Sequence, residues 1–69
     1  MSNSTYKIIE LVGTSDKSWE EAARTAIETA GKTLQELRVA EVTKMDMTVE
    51  NGTIKNYRTR LNVSFKVMV

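Results

Sequence analysis

The 69-residue chain contains no cysteine and no histidine, and its only aromatic residues are one Trp, two Tyr and one Phe. Without cysteine, disulfides and thiolate metal sites are excluded. Without histidine, the usual zinc ligand and the usual general base near neutral pH are missing as well. A formal net charge of +1, with acids and bases interspersed, leaves no clustered positive footprint of the kind that nucleic-acid binders carry. No apolar run reaches membrane-spanning length. Met1 to Thr5 is short and polar, without the apolar core of a signal peptide, so the cytoplasm is the default expectation. Chains this small hide only about 60% of the surface their unfolded form exposes, and below roughly 70–80 residues they usually need a disulfide, a metal or oligomerisation. Oligomerisation is the device left to this one.

What is present is strongly patterned. From Asn56 to Val69, Tyr57, Thr59, Leu61, Val63, Phe65, Val67 and Val69 alternate with Asn56, Arg58, Arg60, Asn62, Ser64 and Lys66, and only Met68 breaks the polar set. A two-residue period marks a strand with one buried and one polar face. Tyr6 to Val12 is a second β-rich run, which ends at Gly13; Gly13 to Lys17 reads as a loop. Ser18, with Glu21 three positions on, predicts a helix start with a capping box.

From Trp19 the period becomes helical, and Trp19, Ala22, Ala23, Ala26, Ile27, Ala30, Leu34 and Leu37 form one apolar stripe. Glu20, Arg24, Glu28, Lys32 and Glu36 alternate in sign four residues apart on the other side, a spacing that suits helix ion pairs. The alanines keep the stripe thin, so that a sheet can approach closely. Gly31 marks either a close approach or the start of the helix end. A middle strand follows from about Val39 to Val49, and Asn51-Gly52 predicts a tight hairpin back into the last strand. Ala40 and Val42 differ in parity from Met45, Met47 and Val49, which predicts a bulge near Thr43 to Met45. The expected fold is therefore α+β, β-α-β-β, a three-stranded antiparallel sheet wrapped around one helix, in a single domain spanning residues 1–69.

Few residues offer chemistry. Trp19 is in phase with the apolar stripe and reads as packing at a core edge or a subunit contact rather than as a ligand platform. Glu41 and Asp46 on the middle strand, with Glu10 on the first, are hard oxygen ligands suited to calcium or magnesium. Their spacing matches no EF-hand, but a symmetric oligomer could gather one carboxylate from several copies. Arg58, Arg60 and Lys66 share a strand face. They could grip a phosphate or carboxylate, but pairing with Glu41, Asp46 or Glu50 is the preferred reading. No nucleophile–base pair can be assembled, so enzymatic activity is not expected.

Tyr6-Lys7-Ile8-Ile9-Glu10, Val12-Gly13-Thr14-Ser15, Ser18 before an alanine-rich helix, Lys32-Thr33-Leu34, Glu41-Val42 and Val63-Ser64-Phe65-Lys66 occur here in one order and spacing. In this they resemble the dodecin family, small proteins that assemble as hollow spherical dodecamers and commonly bind flavin. The resemblance implies a homododecamer. It also implies a cofactor site in which a Trp at the start of the middle strand stacks on the flavin ring and a Gln on the last strand hydrogen-bonds it. Those positions correspond to Val39 and Arg58 here. Val39 cannot stack, and Arg58 cannot accept a hydrogen bond, so weak or absent binding of FMN or riboflavin is expected. Arg38-Val39-Ala40, Asp46-Met47 and Tyr57-Arg58 look instead like a branch of the family associated with calcium, whose ligands no motif assigns; Glu41 and Asp46 are the candidate metal residues as carboxylates that a symmetric oligomer could gather. The implied role is a binding or storage shell for a small molecule or an ion.

Overall fold

The most regularly patterned segment lies at the centre of the sheet. In a computed structural model describing residues 3–67, β1 (Tyr6–Ser15), α1 (Trp19–Gly31), β2 (Leu37–Glu50) and β3 (Thr53–Lys66) follow one another along the chain. All strand pairs are antiparallel and the order is β1-β3-β2, so β3 hydrogen-bonds on both sides. A central strand must satisfy two neighbours and a helix at once, which is why its alternation is the most complete. Thr59, Leu61 and Val63 are buried on the helix side, with Tyr57 and Phe65 half-buried beyond them. Val67 is exposed, and Met68 and Val69 lie outside the described residues.

The helix begins where the sequence places it. Ser18 has extended backbone, and its Oγ accepts a hydrogen bond from the Glu21 amide at 3.0 Å, one half of the expected capping box. Glu20 and Glu21 in the first turn complement the positive end of the helix dipole. Ala22, Ala26 and Ala30 are buried against the sheet. The core is small: Ala26, Leu61 and Val63, with Ile9, Leu11, Ala23, Ile27 and Leu37 packed around them.

Three expectations are corrected. β1 does not end at Gly13 but runs to Ser15, with Gly13 paired to Thr59. The glycine is there for proximity, since a Cβ at that position would stand 1.9 Å from the Ala22 carbonyl oxygen. The helix stops at Gly31, so Leu34 and Leu37 leave the stripe and Leu37 instead opens β2. Nothing lies within 4 Å of a Cβ at Gly31, so that residue marks the helix end rather than a close approach. Finally, the alternating helix charges form no ion pairs among the described residues, where the pairs are Arg38–Glu36, Lys55–Glu50 and Arg58–Asp46.

The hairpin and the bulge are as expected. Asn51 and Gly52 have φ of 52° and 75°, the left-handed pair of a type I′ turn. The β2–β3 register slips between Val42 and Lys44, leaving Thr43 as the extra residue, and its hydroxyl donates to the Arg60 carbonyl at 3.2 Å. The slip puts Met45 and Met47 on the same side as Ala40 and Val42. Across the slip, Met45 and Met47 pair with Thr59 and Tyr57.

The helix lies over β1 and β3 and leaves most of β2 uncovered. Val42, Met45 and Val49 are therefore exposed although they share the core-facing side of the sheet. The molecule measures 53 × 21 × 14 Å with a radius of gyration of 14.3 Å, against about 11 Å for a compact domain of this length. Its surface of 5333 Å² exceeds the roughly 4,400 Å² of a compact monomer of its mass. No helix among the described residues is long and apolar enough to cross a membrane.

Candidate functional site

The sheet face turned away from the helix carries the candidate residues, and strand register sets their neighbours. Along β3, Arg58, Arg60, Asn62 and Ser64 each stand between a β1 residue and a β2 residue. Arg58 lies between Thr14 and Asp46, Arg60 between Val12 and Lys44, Asn62 between Glu10 and Glu41, and Ser64 between Ile8 and Val39.

Arg58 and Asp46 form the one bidentate ion pair among the described residues, with Nε donating to Oδ1 at 2.7 Å and Nη2 to Oδ2 at 2.9 Å. Two parallel charge-assisted bonds match the guanidinium fork to the carboxylate. The Arg58 hydrogen bonds hold the Asp46 carboxyl below its ordinary value; desolvation opposes them, and the charges of Arg58 and then Arg60 add to the lowering. The same hydrogen bonds and charge raise Arg58. Of the two readings of the basic stripe, pairing with a neighbouring carboxylate describes Arg58.

Asp46 is held from its backbone as well. The Trp19 indole N–H donates to the Asp46 carbonyl at 2.8 Å, and the buried Thr59 hydroxyl donates to the Trp19 carbonyl at 2.8 Å. The Trp19 ring meets Tyr57 edge-on, with centroids 4.9 Å apart and planes at 70°. Trp19 thus ties the first turn of α1 to the bulged part of β2. Its place at the core edge was legible from the helical period. Its polar contact was not, because the partner lies 27 residues away.

Val39 is 64% exposed. Its backbone exchanges hydrogen bonds with Ser64 Oγ, at 3.2 Å from the Val39 amide and 3.3 Å to the Val39 carbonyl. A shallow cavity of about 150 Å³ adjoins it, lined by Ile27, Leu37, Arg38, Val39, Ala40 and Val63. Arg58 is not part of that cavity. Val39 pairs with Ser64 and Arg58 lies six residues away along β3, so the two are about 20 Å apart. One chain by itself does not bring the two side by side.

The structure does not gather the candidate metal residues either. Glu41 lies opposite Asn62 and Asp46 opposite Arg58, about 13 Å apart along the sheet. Among the described residues no group of three or more acidic side chains converges. Glu41 and Glu10 flank Asn62 on the same face, one strand to either side.

The dodecin family model matches residues 5–68. The chain belongs to the dodecin family. It is 44% identical over 64 residues to the calcium dodecin of Mycobacterium tuberculosis, covering 93% of this chain and 90% of that protein. The dodecin of Thermus thermophilus is 39% identical over 62 residues, covering 90% of each. Among solved structures, the dodecin of Streptomyces coelicolor superposes with a TM-score of 0.95 at 35% identity, over 100% of this chain and 99% of that one. The crystal structure of the M. tuberculosis calcium dodecin, described as calcium-chelating with a novel calcium-binding site, gives a TM-score of 0.83 at 45% identity over 93% and 91%. The family resemblance drawn from the sequence and the β-α-β-β architecture are both established.

Proposed function

We propose that this dodecin is a binding module without turnover, which assembles as a homododecameric shell and takes up a divalent cation such as calcium in preference to flavin. The observation that carries the reading is the state of the two positions resembling the flavin residues. Val39 offers an aliphatic side chain where stacking needs an aromatic, and Arg58 is already committed to Asp46 by two hydrogen bonds. The calcium dodecin relative supports the cation, as does the exposed carboxylate of Glu41, which a symmetric assembly could bring near its counterparts; Asp46 would join it only by giving up its pair with Arg58.

Two titrations test the reading. Purified protein is expected to be colourless and to quench the fluorescence of riboflavin or FMN only weakly. Yellow protein as isolated, or submicromolar flavin affinity, overturns it in favour of a flavin-storage dodecin with a non-standard site. Calcium is expected to raise the melting temperature at constant scattering-derived size, as any ligand that binds only the folded state does. The double variant Val39→Trp, Arg58→Gln is expected to regain measurable flavin binding, since aromatic stacking contributes on the order of 0.5–1.5 kcal/mol per pair.

A further inference from the structure

We propose that Lys44 and Arg60 form an oxyanion site on the polar face of the sheet, which takes the phosphate group of a small soluble molecule, free or as a monoester. The site uses neither of the candidate metal residues and does not depend on the cation reading above.

The β2 bulge creates the pair. Counted in step from the pairing of Val42 with Leu61, the residue opposite Arg60 would be Thr43. The register slips there, Thr43 becomes the extra residue, and Lys44 takes the place opposite Arg60. The Thr43 hydroxyl donates to the Arg60 carbonyl at 3.2 Å, which pins the slip to this residue. Bulges are a means of re-aiming a side chain, and this one sets two cations directly across from each other. Opposed Cβ atoms stand about 4.5–5.5 Å apart, and like charges so placed are destabilising.

The neighbouring residues do not offset that cost. Among the described residues, neither Lys44 nor Arg60 takes part in an ion pair. Asp46, two positions from Lys44 on the same face, is held by two hydrogen bonds from Arg58. Glu10 and Glu41 lie opposite Asn62, one pair further along the sheet. On its β1 side Arg60 faces Val12, which carries no charge. Lys44, Arg58 and Arg60 thus crowd one carboxylate that is already committed.

The geometry of the two groups favours phosphate over a simpler anion. A guanidinium fork is suited to two oxygens at once, and an ammonium adds a compact point charge beside it. A carboxylate has only two oxygens, which one fork occupies fully, as Asp46 does with Arg58. Phosphate has oxygens for the fork and for the ammonium together, and its second charge matches the second cation.

The test is titration of the assembled protein with inorganic phosphate and, in parallel, with glycerol 3-phosphate. Calcium is removed by chelation and ionic strength is held constant with sodium chloride. Line broadening in phosphorus NMR reads binding, and light scattering checks that each variant keeps the wild-type size. Wild-type protein is expected to broaden both signals, and tighter binding of one names the free or the esterified group as the natural form. Lys44→Gln and Arg60→Gln are each expected to weaken binding by about tenfold, the loss of one charge-assisted contact, whereas Lys66→Gln leaves it unchanged. Lys44→Glu is expected to abolish binding and to melt no lower than wild type, since it replaces a like-charge pair with an opposite-charge one. Absence of broadening with wild-type protein, the result if carboxylates of another copy already neutralise the pair, overturns the proposal. So does undiminished binding in Lys44→Glu. Either failure leaves the calcium titration above unaffected.

Discussion

At the scale of single residues, the least replaceable position is Gly13. Its hydrogen occupies the only space between β1 and the Ala22 carbonyl, and a methyl there meets backbone rather than a side chain that could turn away. Gly13→Ala is expected to destabilise the fold by about 1–3 kcal/mol, measured by urea unfolding against Gly31→Ala, which meets no neighbour. Asp46 offers a second residue-level test. Its folded-state carboxyl titrates below the ordinary carboxylate value because of Arg58. The contribution of the pair is therefore complete above the unfolded value near 3.9 and is lost as pH falls through the lower folded value. An NMR titration is expected to show the Asp46 carboxyl with a depressed midpoint that returns towards normal in Arg58→Gln. An unchanged midpoint in that variant would remove Arg58 as the cause.

At the scale of elements, the β2–β3 hairpin is the least supported part of the chain. Apart from the Trp19 side chain of α1, which reaches the Asp46 carbonyl, it depends on its ladder and on a turn whose two central residues both have positive φ. Gly52 at φ 75° is in the region where a side chain costs roughly 1–2 kcal/mol. Gly52→Ala is expected to lower stability by about 1 kcal/mol at fixed protein concentration. Amide exchange should rise chiefly in β2 and the neighbouring part of β3. Protection loss centred on β1 instead would show that the hairpin is not the separate unit described here.

At the scale of the whole molecule, the shape is extended for a chain of this length, as a subunit of the proposed shell would be. Among the described residues the largest fully buried side chains are Leu61, Val63 and Thr59, a small core even for a chain of this length. The stripe on β2 adds apolar surface with no intramolecular cover. The melting temperature is therefore expected to rise with protein concentration, as it does whenever association is linked to folding. Met45→Asp is expected to abolish that dependence and to reduce the scattering mass towards 7.8 kDa. Because Met45 is 60% exposed in the single chain, the charge strains nothing within one copy. Retained high-mass species in Met45→Asp would place the contact elsewhere.

Everything set by local periodicity was readable from the residues alone. The two-residue period of β3, the helical stripe from Trp19, the Ser18 cap, the Asn51-Gly52 turn and the parity fault at Thr43 each express a constraint acting within a few positions. Element ends were less legible. Leu34 and Leu37 continue the helical spacing past Gly31, although Leu37 belongs to β2, because periodicity does not register where backbone hydrogen bonding changes. Likewise Gly13 reads as a strand stop when its role is to admit the helix backbone, which only packing reveals. The candidate site depended still more on tertiary structure. Val39, Arg58, Glu41 and Asp46 were picked out by residue type and by resemblance, but their distances follow from register across β3. Register depends on residues far apart in sequence, and it separates Val39 from Arg58 while clamping Arg58 to Asp46. The placement of the helix over two strands rather than three, which leaves β2 bare, is likewise a tertiary outcome, because a thin alanine face can cover only the strands directly beneath it.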